Sequence, residues 1–252
     1  NFHDMKQPSG WIELPPMTPG IKPNRLMVFL PGESSAELFT PVALAWQLKF
    51  PSAVCIIFQP PHKASLWWEK HSSRRDAAPA CAKVVARQIR GQQHELGLIA
   101  SQTTVIGFAQ GATIALELAR SATAAALSDE RPSARQAGHT KQAVHKHPAA
   151  IPEAQLCSIV VAYAAQLARP LLADERVPCS VHLIHGDLDH RVPAIYGHQA
   201  YKSLKAAGAD VTWDLIADTA HTIGQDAIIV GTMRAMQRIF RGRSKGRAPT
   251  LH

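Results

Sequence analysis

The sequence predicts an α/β fold: a mainly parallel central sheet with helices on both faces. Two observations carry this. Short continuous apolar runs, Leu26–Leu30 (LMVFL) and Val54–Phe58 (VCIIF), read as strands buried on both faces, the pattern of parallel sheets. Stretches with helical spacing separate such runs along the chain, so strand and helix alternate. With 252 residues, 46% hydrophobic and 18% charged, the chain suits one globular domain with a sizeable core.

Residues 1–24 carry Pro8, Pro15, Pro16, Pro19 and Pro23, too many for a helix, and read as an extended lead-in with a strand near Gly10–Leu14. The strand Leu26–Leu30 stops at Pro31-Gly32. Thr40-Pro41 predicts a helix start, with Thr as N-cap and Pro at the first helical position, running to before Pro51. After Val54–Phe58, a loop to Arg75 holds Leu66, Trp67 and Trp68. Asp76 is the expected cap of a helix to about Leu96, with Gly97 as its C-cap. A strand ending at Ile106 and a helix from Gln110 to about Ala126 follow.

Residues 128–152 are rich in Ser, Ala, Gln, His and Lys and read as a flexible surface insertion within a domain spanning 25–241. Its His139, His145 and His147 are scattered in a polar loop and read as solvated rather than as metal ligands. Strands are expected again at Cys157–Ala162, Cys179–Ile184 and Val211–Ile216, with helices at Ala194–Ala207 and Ile223–Phe240. His182 and His185 lie three apart on a strand and so face opposite sides, which argues against a shared metal site and for satisfied core or strand-end histidines.

The formal charge of +8 is local: Arg234, Arg238, Arg241, Arg243, Lys245 and Arg247 close the chain with no acidic residue among them. Without those six the balance is 21 against 19. The segment 242–252 reads as a solvated basic tail. Nucleic-acid binding ranks last for it, since neither aromatic interleaving nor a recognition motif accompanies the charge. No run approaches the roughly 18 apolar residues of a membrane span. Asn1–Gln7 lacks the pattern of a signal peptide, and a start on Asn1 rather than on methionine suggests a processed, truncated or tagged start. Cys55, Cys81, Cys157 and Cys179 form no C-x-x-C pair and read as buried free thiols, which predicts a cytoplasmic protein.

The chemistry is written in Thr103–Thr113 (TTVIGFAQGAT). A β-branched run ends in Gly107-x-Ala109-x-Gly111 and a helical pattern begins at once, the layout of a nucleophile elbow. Glycines two residues either side of the centre keep bulk away from it. Nucleophilic chemistry asks for Ser, Cys or Asp at that centre, and Ala109 stands there. Downstream, the loop His185–Pro193 offers Asp187 and Asp189, and the next strand end offers His221. The order nucleophile position, acid, histidine is that of one serine-hydrolase class. There an imidazole takes the hydroxyl proton while a carboxylate fixes its tautomer.

Segments 25–121 and 157–241 resemble the phospholipase/carboxylesterase branch of the α/β hydrolases, particularly small bacterial YpfH-type esterases. The likeness rests on Gly107–Ala112 (GFAQGA) against the family's GFSQGA, on His182–Gly186 with Asp189 and Val192-Pro193, and on Ala206–Thr212 leading to His221. It implies an α/β-hydrolase fold, no cofactor, and a small acyl ester or thioester as substrate of a monomer or homodimer. Carried over by position, Asp189 is the triad acid, with Asp187 the competitor or a turn-capping carboxylate. His221 is the general base, and the backbone amides of Glu33 and Gln110 are the oxyanion donors. Trp67 and Trp68 align with an aromatic pair and either line the substrate pocket or pack in the core. Two features depart from the family. The nucleophile position is Ala109, and the first oxyanion loop reads Leu30-Pro31-Gly32-Glu33-Ser34 where the family has L-H-G-x-G. A Glu33 carboxylate pointing inward would oppose the developing negative charge, and Ser34 and Ser35 lie off the elbow that aims a hydroxyl at His221. Two functions follow. One is a carboxylesterase silenced at its nucleophile, by mutagenesis or natural change; the other is a non-catalytic binding protein on the same fold.

Overall fold

The computed structural model describes residues 10–120 and 155–244. The insertion expected at 128–152, with its three histidines, and residues 245–252 of the tail lie outside them. Among the described residues seven strands form one sheet: β1 (Trp11–Leu14), β2 (Arg25–Leu30), β3 (Ala53–Phe58), β4 (Thr103–Phe108), β5 (Ile159–Tyr163), β6 (Ser180–Gly186) and β7 (Val211–Ile216). Their spatial order is β1-β3-β2-β4-β5-β6-β7. Only the edge strand β1 runs antiparallel, pairing Trp11 with Phe58 and Leu14 with Cys55. The rest pair in parallel, as in Val28 opposite Val105 and Ile106 opposite Val161. Among the described residues five helices cover the sheet: α1 (Ala36–Gln47), α2 (Arg74–Leu96), α3 (Gln110–Ala119), α4 (Ala194–Ala206) and α5 (Gln225–Ser244).

The period-2 alternation of β2 divides the core in two. Leu26, Val28 and Leu30 pack with Val85 and Ile89 of α2 and Ile114 of α3, whereas Met27 and Phe29 pack with Trp46 of α1 and Ala235 of α5. All five are fully buried, which is why the strand reads as an unbroken apolar run. All four cysteines are buried and unpaired, and burial pushes the Cys55 and Cys81 thiols up to about 12. Among the described residues no helix is long and apolar enough to cross a membrane.

Several boundaries differ from those expected. α1 begins four residues before Thr40, capped by Ser35, whose hydroxyl accepts the amide of Leu38. Pro41 therefore sits inside the helix. Its missing N–H leaves the carbonyl of Glu37 without its helical donor, at a residue that is exposed. α2 starts at Arg74 after Ser73, with Asp76 in its first turn rather than at the cap; Gly97 does close it, in the left-handed region at φ 64°. α3 stops at Ala119, well short of Ala126, because Arg120 turns extended and sends its guanidinium to Glu117 and Glu175. α5 runs past Phe240 to Ser244, so the basic stretch begins as helix.

Candidate active site

Three loops at the carboxyl ends of β2, β4 and β6, with a fourth after β7, build the site, the usual place for chemistry in a parallel sheet. Where β4 turns into α3, Ala109 has φ 51° and ψ −114°, a conformation costly for any residue with a Cβ. Its amide donates to the Tyr163 carbonyl at 3.0 Å, and its carbonyl accepts the amide of Thr113 at 3.0 Å, so both flanks pin the turn. The glycines serve a purpose other than the one the sequence suggested. Neither has positive φ; each permits backbone to approach backbone. A Cβ on Gly107 would stand 2.4 Å from the Gly111 carbonyl oxygen, and one on Gly111 would stand 2.0 Å from that of Leu30.

Asp189 is buried and fully spent on hydrogen bonds. Its Oδ1 accepts the amides of Arg191 at 3.0 Å and Val192 at 2.8 Å, and its Oδ2 lies 2.8 Å from His221 Nδ1. A carboxylate oxygen accepts, so Nδ1 of His221 is the donor in this bond. Asp187 is exposed and takes the amide of Thr219 at 3.2 Å, a turn-capping role. The acid and histidine loops are laced together: the amide of Leu188 donates to the Thr219 carbonyl at 2.9 Å, and a Cβ on Gly186 would stand 2.2 Å from the same oxygen. The His221 ring lies 4.7 Å, centroid to centroid, from that of Phe108, the residue before Ala109. Separate stretches of sequence thus meet at one strand edge.

His182 and His185 do face opposite sides. Nε2 of His185 is 2.6 Å from the Val192 carbonyl, so it carries the proton, and it lies 3.6 Å from Asp189 Oδ2. Burial holds the imidazole below its ordinary pKa. It braces the loop that carries Asp189. Gly197 of α4 makes room for it, since a Cβ there would come within 2.5 Å of His185 Nδ1. His182 is bonded at Nδ1 to Thr212 but has no hydrogen-bond partner at Nε2, so the expectation of a satisfied histidine holds for half of the ring. Among the described residues no three His, Cys, Asp or Glu side chains are grouped to hold a metal.

Around the loop after β2, the candidate oxyanion loop, the structure adds contacts that no motif announced. Trp67 and Trp68 are in the core, 1% and 8% exposed. Trp67 donates its indole N–H to the Pro31 carbonyl at 2.6 Å, while its own amide donates to Gln110 Oε1 at 2.9 Å. It therefore ties the loop after β2 to the start of α3, which core packing or pocket lining alone does not describe. The Glu33 carboxylate is exposed and paired with the Arg191 guanidinium, directed to that partner on the acid loop. A Cβ on Gly32 would stand 3.1 Å from that of Ala109, which places the loop after β2 directly against the turn at Ala109.

The fold is that of the α/β hydrolases. The structure of esterase PE8 superposes with TM-score 0.70 over 90% of this chain and 98% of that one, at 21% identity. A phospholipase/carboxylesterase from Dyadobacter fermentans DSM 18053 gives 0.61, covering 90% and 96% at 15% identity. The Bacillus cereus carboxylesterase gives 0.64, covering 90% and 93% at 12% identity. In sequence, the chain is 26% identical over 151 residues to esterase YpfH of Escherichia coli (strain K12). That match takes in 60% of this chain and about half (51%) of the relative's length. No family model matches. The α/β-hydrolase esterases to which the motifs around Ala109, Asp189 and His221 pointed are the proteins this chain resembles.

Proposed function

We propose that the chain carries a carboxylesterase-type site for small acyl esters or thioesters, silenced at its nucleophile by Ala109. The observation that carries this reading is the pairing of buried Asp189 with His221 beside an elbow that keeps a strained backbone at Ala109. That strain serves to lift a nucleophile clear of the sheet, and the Asp–His pair serves to deprotonate one. With Ser at 109, Nε2 of His221 takes the hydroxyl proton as the oxygen attacks the ester carbonyl. The amides of Glu33 and Gln110 receive the developing oxyanion, and His221 returns the proton to the leaving alcohol or thiol. Water then cleaves the acyl-enzyme by the same route. Ala109 offers no acyl acceptor. Loss of the nucleophile in a serine protease costs about 10⁶ in turnover, so the chain is close to inert.

The second reading is a ligand-binding protein that keeps the pocket without the reaction. The Pro31-Gly32-Glu33 loop favours it, because it departs from the esterase pattern independently of position 109. The test is Ala109→Ser with short-chain aryl esters. A gain of at least about 10³ that His221→Ala abolishes supports the silenced esterase. No gain in a folded protein overturns it and leaves the binding reading.

A further inference from the structure

The ion pair between Glu33 and Arg191 joins the loop after β2 to the loop after β6. Two strands, β4 and β5, lie between those two in the sheet. At about 4.8 Å per strand, the pair bridges roughly 14 Å of the carboxyl edge. The turn at Ala109 follows β4, one of the two strands between them. Both ends of the bridge are anchored in the site. The amide of Arg191 holds Asp189 Oδ1, and Gly32, next to Glu33, packs on Ala109.

The pairing itself is weak in character: 61% of the Arg191 side chain and 39% of that of Glu33 remain exposed, and water screens such a pair. One carboxylate also leaves most of a guanidinium's five N–H donors to other acceptors. A ligand carboxylate can therefore replace Glu33, or bind beside it, at little cost, and the planar fork of arginine suits that exchange.

We propose that Arg191 is the recognition cation of this site, and that its ligand is an acyl compound bearing a free carboxylate, a half-ester of a dicarboxylic acid. Glu33 is the internal counter-ion that this carboxylate displaces. The ester end reaches the elbow while the carboxylate end stays at the rim on Arg191. The inference rests on reading the Ala109 site as an ester-binding site.

The test uses the unaltered chain, which lacks the nucleophile and so leaves its ligand intact. Binding of monomethyl glutarate and of dimethyl glutarate is followed by calorimetry and by tryptophan fluorescence. The monoanion is expected to bind about tenfold tighter than the diester, as a charge-assisted hydrogen bond confers. Arg191→Gln removes that preference, Arg191→Lys retains part of it, and Glu33→Gln strengthens the monoanion alone by removing its competitor. Rising salt narrows the gap. Equal binding of the two esters, or a preference that survives Arg191→Gln, overturns the role of Arg191 and leaves the ester-binding reading standing. If neither ester binds, both fall.

Discussion

Asp189 Oδ2 and His221 Nδ1 are 2.8 Å apart, and Asp187, two residues earlier, bonds the amide of Thr219 instead. The two carboxylates of one short loop thus have different tasks, and the difference is measurable once a hydroxyl is supplied. In an Ala109→Ser background, Asp189→Asn presents an amide to Nδ1 and favours the wrong tautomer. The corresponding change in a serine protease costs about 10⁴ in turnover, and the same fall is expected here. Asp187→Asn removes one exposed turn contact and is expected to stay within about tenfold. Steady-state hydrolysis of a short aryl ester by the two double variants checks this. Equal losses would mean that Asp189 is not the sole acid of the pair.

The elbow's glycines bear on stability as well as on chemistry. A methyl on Gly111 meets the carbonyls of Leu30 and Pro31 at 2.0 and 2.4 Å, and backbone oxygens cannot swing aside as a side-chain tip can. Gly111→Ala is therefore expected to destabilise by about 3 kcal/mol or more, the upper end of overpacking costs. Urea denaturation checks it. Gly91 and Gly224 have nothing within 4 Å of an added Cβ and provide the control.

The parts of this molecule that are local in sequence were legible there. The apolar runs of β2 and β3 marked the sheet. Gly107-x-Ala109-x-Gly111 marked the elbow, because a tight strand-to-helix turn needs small residues at fixed offsets. Boundaries set by one hydrogen bond were not legible. Ser35 and Thr40 are both good caps, and only the fold decides that Ser35 reaches an amide while Pro41 rides inside the helix. Contacts between distant stretches were hidden altogether: Trp67 to Pro31 and Gln110, and Glu33 to Arg191 across 158 residues. Such pairs follow from strand order, which periodicity does not encode. The carboxylate feared to face the oxyanion is taken up by a cation whose position the sequence could not supply.

At the far end of α3 lies a buried charge network. Arg120 donates to Glu117 at 2.8 Å and to Glu175 Oε2 at 2.7 Å, and also to the carbonyls of Arg169 and Pro170. Arg169 reaches Glu117 from outside at 3.0 Å. Two cations thus face two carboxylates, and the stretch leading from β5 to β6 is fastened to α3. Arg120→Ala leaves two buried carboxylates with Arg169 alone. Breaking a buried pair from one side costs about 3–5 kcal/mol, and a loss of that size is expected in urea denaturation. A loss below about 1 kcal/mol would class the network with surface pairs.

A buried histidine makes stability depend on pH. His182 shares a face of β6 with Ser180, which bonds Arg238 of α5, and it is wholly buried with Nε2 unbonded. Burial above all drives its pKa down to about 4, with Arg234 and Arg241 adding to the effect and Asp210 and Asp214 opposing it. The unfolded chain binds this proton near pH 6.5, while the folded protein refuses it until about pH 4. Below pH 6.5 the unfolded state therefore holds more protons, so stability is full above that value and falls as the pH drops toward 4. A depression of this size corresponds to a loss on the order of 3 kcal/mol. His182→Asn keeps a polar partner for Thr212 without the titration. Denaturation curves at pH 7 and pH 4.5 should separate the two proteins at low pH, the parent losing the extra stability and the variant losing only what the carboxylates cost both. Parallel losses would show that the proton reaches His182 in the folded state as readily as in the unfolded one.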